Sequence, residues 1–121
     1  MKIHGREVNF RRTVLGNCEI AEMCPKKDIN KFEELLKGDY ATAQTAAAKF
    51  VVAMSKGYEM NQRFEDPEYE MRPLTLEELM LLDNDEFNDL FEEALHAFAQ
   101  DGKTTVDAEA PKGKNESGGS E

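Results

Sequence analysis

The stretch "DEFNDLFEEALHAF" constrains the fold more than any other part of the chain. Phe87, Leu90, Phe91, Ala94, Leu95 and Phe98 stand at i, i+3, i+4, i+7, i+8 and i+11. On a helix these positions form one apolar stripe, which must be covered by other elements. Helix packed on helix is therefore the expected architecture. Asp83 and Glu86 form a capping box ahead of the stripe, and Gly102 follows it, so the spacing predicts a helix over 84–100. Phe50, Phe87, Phe91 and Phe98 are the expected aromatic core.

The same logic places four more helices. Thr75 and Glu78 form a second capping box, and a helix over 75–82 would bury Leu76, Leu79, Met80 and Leu82. The longest helix is expected over 40–57, at the centre of the fold, with Tyr40, Ala43, Ala47, Phe50, Val51, Met54 and Tyr58 on its buried face. Its alanines would let another helix approach closely, and Gly57 either ends it or is tolerated within it. A helix over 13–24 would be capped by Thr13, would bury Val14, Leu15, Cys18, Ala21 and either Met23 or Cys24, and would stop at Pro25. Asp28 caps a short helix over 28–37 that buries Ile29, Phe32, Leu35 and Leu36, with Gly38 after it. Ahead of these, "MKIHGREVNF" reads as a short hairpin turning at His4-Gly5-Arg6. The expected fold is mainly α: about five helices with an N-terminal β-hairpin, folded over residues 1–101. Residues 102–121 are polar and lack the apolar content to offset ordering entropy, so a flexible tail is expected there.

Charge bears on the partners. Of 121 residues, 40% are hydrophobic and 33% charged, and the net charge is −10. An acidic chain repels phosphate backbones, which argues against nucleic acid. The charge is uneven: residues 1–56 carry +3, residues 57–101 carry −12 and residues 102–121 carry −1. The acidic part can meet a basic partner or simply be solvated helix faces. The start of the chain has no apolar run long enough for a leader, and "AAAKFVVAM" is too short to cross a membrane. A cytoplasmic protein is expected. Cys18 and Cys24, six residues apart on a helix, point in different directions and are expected as free thiols.

No pattern supports catalysis, a metal or a cofactor. As a calcium loop begun at Asp83, "DNDEFNDLFEE" fails at Phe87, Asn88 and Ala94. His96 is expected near a helix end, where a cation suits the dipole. His4 and His96 have no nucleophile in a suitable pattern, and the glycines are isolated. The basic stretch "GREVNFRRT", three arginines with one aromatic, is expected as one wet strand face. The features that remain are a helical body, an acidic face and a polar tail, which describe an interaction protein.

The stretches "GREVNFRRTV", "EIAEMCP", "GDYATA", "AAKFVVAMSKGYE", "PLTLEELMLL" and "KTTVDAEAPKGKN" carry a resemblance. They resemble the small tail assembly chaperones of long-tailed, siphovirus-type phages and prophages of Gram-positive bacteria. The likeness spans residue 2 to about 115. It implies a mainly helical protein that binds the tape-measure protein and keeps it soluble until tail-tube subunits polymerise around it. It implies host cytoplasm and absence from the mature virion. Many such chaperones also have a longer form, made by a −1 ribosomal frameshift near the end of the short frame. Lys112-Gly113-Lys114 can be encoded as AAG GGA AAG or AAG GGA AAA, and both contain the slip-permissive heptamer G GGA AAR. The other reading of this tail is a plain soluble end. The partners implied are the tape-measure protein and the tail-tube protein, and a homo-oligomer stays open. The alternative class is a small structural or regulatory interaction protein, such as a tail or head completion protein or an acidic inhibitor of a basic partner. Of the six methionines and seven phenylalanines, most are expected in the core, with some left to shield apolar stripes of a partner.

Overall fold

The computed structural model describes residues 1–109, with side chains as far as residue 100. Two strands, β1 (Lys2–Ile3) and β2 (Arg6–Glu7), form an antiparallel hairpin with Ile3 opposite Arg6. Its turn is His4-Gly5 alone, with φ of 50° and 79°. A two-residue turn of the I′ type has both residues in the left-handed region, and glycine takes it without a Cβ clash. Five helices follow: α1 (Val14–Glu22), α2 (Phe32–Leu36), α3 (Tyr40–Glu65), α4 (Leu76–Met80) and α5 (Asn84–Glu109). The architecture is the mainly helical one that the stripes predict.

Helix α3 is the axis, and α1, α2, α4 and α5 all pack on it. Ala46, Ala47 and Ala48 are all buried, as are Ala53, Met54 and Ser55. Three consecutive helical residues span about 200° of the circumference, so burial of each triplet requires cover on most sides. The expected single face was too narrow, and Tyr40, assigned to it, is 70% exposed. The helix also runs on to Glu65 instead of ending at 57. Gly57 is buried inside it because the segment before α1 crosses there. A Cβ on Gly57 would lie 2.6 Å from the Arg11 carbonyl oxygen. Beside this crossing the Arg11 N–H donates to the Met54 carbonyl at 3.0 Å.

That crossing also corrects α1. Thr13 caps it by accepting from the Gly16 N–H at 3.0 Å, as its position predicts. Cys24 is buried, one of the two residues expected at the end of the stripe, but the rest of the buried face is Gly16 and Ile20, while Val14 is 80% exposed and Leu15 43%. Gly16 meets the Ala53 backbone. Close backbone approach, not side-chain bulk, selects the face. After Pro25 the chain makes two 3₁₀ turns, Pro25–Lys27 and Ile29–Lys31, before α2. Asp28 caps the second, accepting from the Asn30 N–H at 3.0 Å.

Helix α4 has its full capping box. Being short, it buries only Leu79; Leu76 and Met80 are 36% and 48% exposed, and Leu82 is half-buried. In α5 the Asp83 carboxylate accepts from the Glu86 N–H at 2.8 Å. Phe87, Leu90 and Ala94 are buried, Phe91 and Phe98 are half-buried, and Leu95 is 36% exposed. The helix does not stop at Gly102 but continues to Glu109. One interior glycine costs about 1 kcal/mol relative to alanine, too little to end a helix on its own. Phe50, with no exposure, joins the layers: its ring lies 5.0 Å from Phe32, 5.8 Å from Phe91 and 5.2 Å from Phe98.

Candidate functional site

Lys112, Gly113 and Lys114 lie outside the described residues. The basic N-terminal stretch is largely committed inside the protein. Arg6 pairs with Glu78 at 2.9 Å and donates to the carbonyls of Arg72 and Pro73. Arg12 stands 3.7 Å over the Phe98 ring and donates to Asn17 Oδ1 at 3.0 Å. His4 Nε2 meets Glu86 at 2.7 Å, which ties the hairpin turn to α5. His96 is exposed in the middle of α5, far from either end of that helix. The dipole role expected for it is lost because the helix extends to Glu109. Cys18 is exposed and Cys24 buried, both as free thiols. Burial first, then the nearby Asp28 charge, pushes the Cys24 thiol above its usual pKa.

The acidic residues behave as a solvated face. Asp85, Asp89, Glu92 and Glu93 are exposed on the side of α5 opposite its aromatic stripe. Among the described residues no cluster of three His, Cys, Asp or Glu could hold a metal ion. No described helix is long and apolar enough to cross a membrane.

Two features escaped the sequence reading. The first is a latch on α3. Glu59, 7% exposed, accepts from the Tyr69 hydroxyl and from the Arg72 N–H, both at 2.9 Å. One turn earlier, buried Ser55 Oγ accepts from the Leu74 N–H at 2.9 Å. Together they stitch the connection before α4 along the central helix. Burial, then the hydrogen bond to Glu59, raises the Tyr69 pKa. The signal is in the spacing: Ser55 and Glu59 stand at i+4 and i+8 from Val51 and so continue its buried helix face, where a polar side chain needs a partner.

The second is a trough along α3. Two adjoining crevices of about 340 and 490 Å³ share Met23 and Lys49. Thr42, Thr45, Lys49, Val52 and Lys56 line them at i, i+3, i+7, i+10 and i+14, one face of the helix. Met23 lines both crevices, Leu35 of α2 adds to the first and Leu76 of α4 to the second. From Ala41 to Lys56 it runs about 22 Å, from the helical rise of 1.5 Å per residue. Its charges are mostly spent: Lys56 pairs with Glu19 at 2.7 Å and Glu22 with Lys27 at 3.4 Å. Lys49 is exposed and has no ion-pair partner among the described residues.

The apolar side chains divide by type. Of the phenylalanines only Phe64 is exposed, at 86%. The methionines do not follow the core expectation: only Met54 is buried, while Met60, Met71 and Met80 are 41%, 37% and 48% exposed. Phenylalanine forms the interhelical contacts because its flat ring fills space at fixed angles; the flexible methionines are left on the surface. No family model matches the chain, and no curated protein or solved structure matches it.

Proposed function

We propose that this chain is a phage tail assembly chaperone that binds the tape-measure protein and holds it soluble in the host cytoplasm while the tail tube forms. The observation that carries the reading is the surface placement of Met60, Met71 and Met80 on a helical body that also carries an open trough along α3. Unbranched thioethers adapt to varied apolar partners, which suits a protein that must shield a long client without one fixed mating shape. The resemblance in the quoted stretches points the same way. On this reading the chain leaves before the virion is complete, and Lys112-Gly113-Lys114 marks where a −1 frameshift would append a longer form.

The test is co-expression with the tape-measure protein encoded in the same genome. Soluble tape-measure protein should rise with this chain present; equal solubility with and without it refutes the reading. Synonymous recoding of Lys112-Gly113-Lys114 should remove the longer product and stop tail formation, and normal tails after recoding would refute the frameshift.

A second reading rests on the exposed carboxylates of α5. They suit a structural or inhibitory protein that grips a basic partner. Presence of the chain in purified particles would favour it.

A further inference from the structure

We propose that the trough along α3 seats one amphipathic helix of the tape-measure protein, with a carboxylate of that helix against Lys49. This rests on the chaperone reading and assigns it a surface.

Shape sets the first requirement. A groove about 22 Å long matches roughly fifteen residues, or four turns, of helix. Extended peptide would want an open sheet edge, and among the described residues the only sheet is the short hairpin, away from the trough. Met23, Leu35, Val52 and Leu76 present apolar surface along its length. An apolar stripe laid into such a groove is the helix-in-groove mode of recognition.

Charge sets the second. Lys56 and Glu22 already have partners, so the trough offers one uncommitted cation, Lys49, at the point where its two crevices meet. A helix with a carboxylate near its middle gains an ion pair there. The same helix laid on the α5 face would set its carboxylate against Asp85, Asp89, Glu92 and Glu93. Like-charge contact disfavours that face, so one acidic residue flanked by apolar ones selects the trough and fixes the register.

The competing surface is the bare end of α3. Met60 and Phe64 continue the face that carries Gly57, beyond the point where the chain crosses it. They offer apolar area, with Arg63 beside it, but no groove.

The experiment measures binding of the tape-measure protein from the same genome, co-expressed and co-purified, to the full chain and to Lys49→Glu, Thr45→Arg and Phe64→Ser. Circular dichroism checks each fold; Lys49 is exposed, so its reversal should leave the helices intact. The expected result is at least about a tenfold loss for Lys49→Glu and for Thr45→Arg, with Phe64→Ser within about twofold of the parent. Binding by the parent with no loss in the two trough variants overturns the trough alone. Loss confined to Phe64→Ser assigns the client to the end of α3 and also overturns it. No binding by the parent overturns the chaperone reading and the trough with it. If the trough variants instead abolish self-association in sedimentation and leave client binding unchanged, the occupant is a second copy of the chain and the proposal fails.

Discussion

Helices α3 and α5 have equal length, 26 residues each, and opposite characters. On α5 one apolar stripe faces the protein and carboxylates face water. On α3 nearly every side is covered somewhere, including Ala48 and Phe50 with no exposure. An amphipathic helix reports its own orientation, since its two faces differ in composition. A central helix does not, because its neighbours cover different sides at different heights. That is why the periodicity of α5 points to its buried side, while α3 buries more of its circumference than the single face its spacing predicts.

Five expected outcomes press on this contrast. The largest effect should come from Phe50→Ala, which empties the junction between Phe32, Phe91 and Phe98. A loss of about 3–5 kcal/mol is expected from denaturant unfolding. A loss below about 1 kcal/mol would mean that α3 is not the axis.

Gly57→Ala comes next. The added methyl must push the Arg11 carbonyl away, at a cost of roughly 1–3 kcal/mol despite the better helix propensity of alanine. Gly38→Ala, where a Cβ finds ordinary contact at 3.4 Å, should change the midpoint little. Equal effects at the two glycines would remove the crossing from the explanation.

Glu59→Ala leaves the Tyr69 hydroxyl and the Arg72 N–H without their acceptor. About 1–3 kcal/mol is expected, with faster amide hydrogen exchange over the connection before α4. Unchanged exchange at Arg72 would show that the latch holds nothing.

Phe91→Ala should cost less than Phe50→Ala, about 1–2 kcal/mol, because the ring is only half-buried. An equal loss would make α5 as enclosed as α3. No loss, together with weaker client binding, would move Phe91 to the interaction surface.

The smallest effect concerns pH. The Glu78 carboxyl is held below its usual range, first by the Thr75 backbone N–H it accepts from and further by Arg6. Its folded-state pKa is depressed, so the unfolded chain binds the proton more readily. This contribution is present above the ordinary glutamate pKa and is lost as pH falls through the folded value. Glu78→Gln should flatten that part of the acid limb by a few tenths of a kcal/mol, given how exposed the group is. An acid limb unchanged from the parent would remove Glu78 from the account.

Local signals carried much of the fold. Thr13, Thr75 and Asp83 cap the helices that their side chains predict, because a cap is a bond between residues three positions apart; Asp28 caps the 3₁₀ turn Ile29–Lys31, and α2 starts only at Phe32. The Phe87–Phe98 stripe was legible for the same reason: its period is local. Helix ends were less so. Gly57 and Gly102 both look like stops, yet a glycine ends a helix only where nothing else holds the next turn.

What the sequence alone determined was the number of helices, the starts of α1, α3, α4 and α5, and the amphipathic side of α5, all consequences of hydrogen bonds and periodicity within one segment. Tertiary structure decided which residues of α1 lie inside, that Glu59 and Ser55 fasten the connection to α3, that three methionines face outward, and that Lys49 stands unpaired in a trough. Each depends on which backbone segments approach each other across long stretches of chain. A residue's neighbours at such distances are set by packing of the whole protein and leave no period in the segment that carries it.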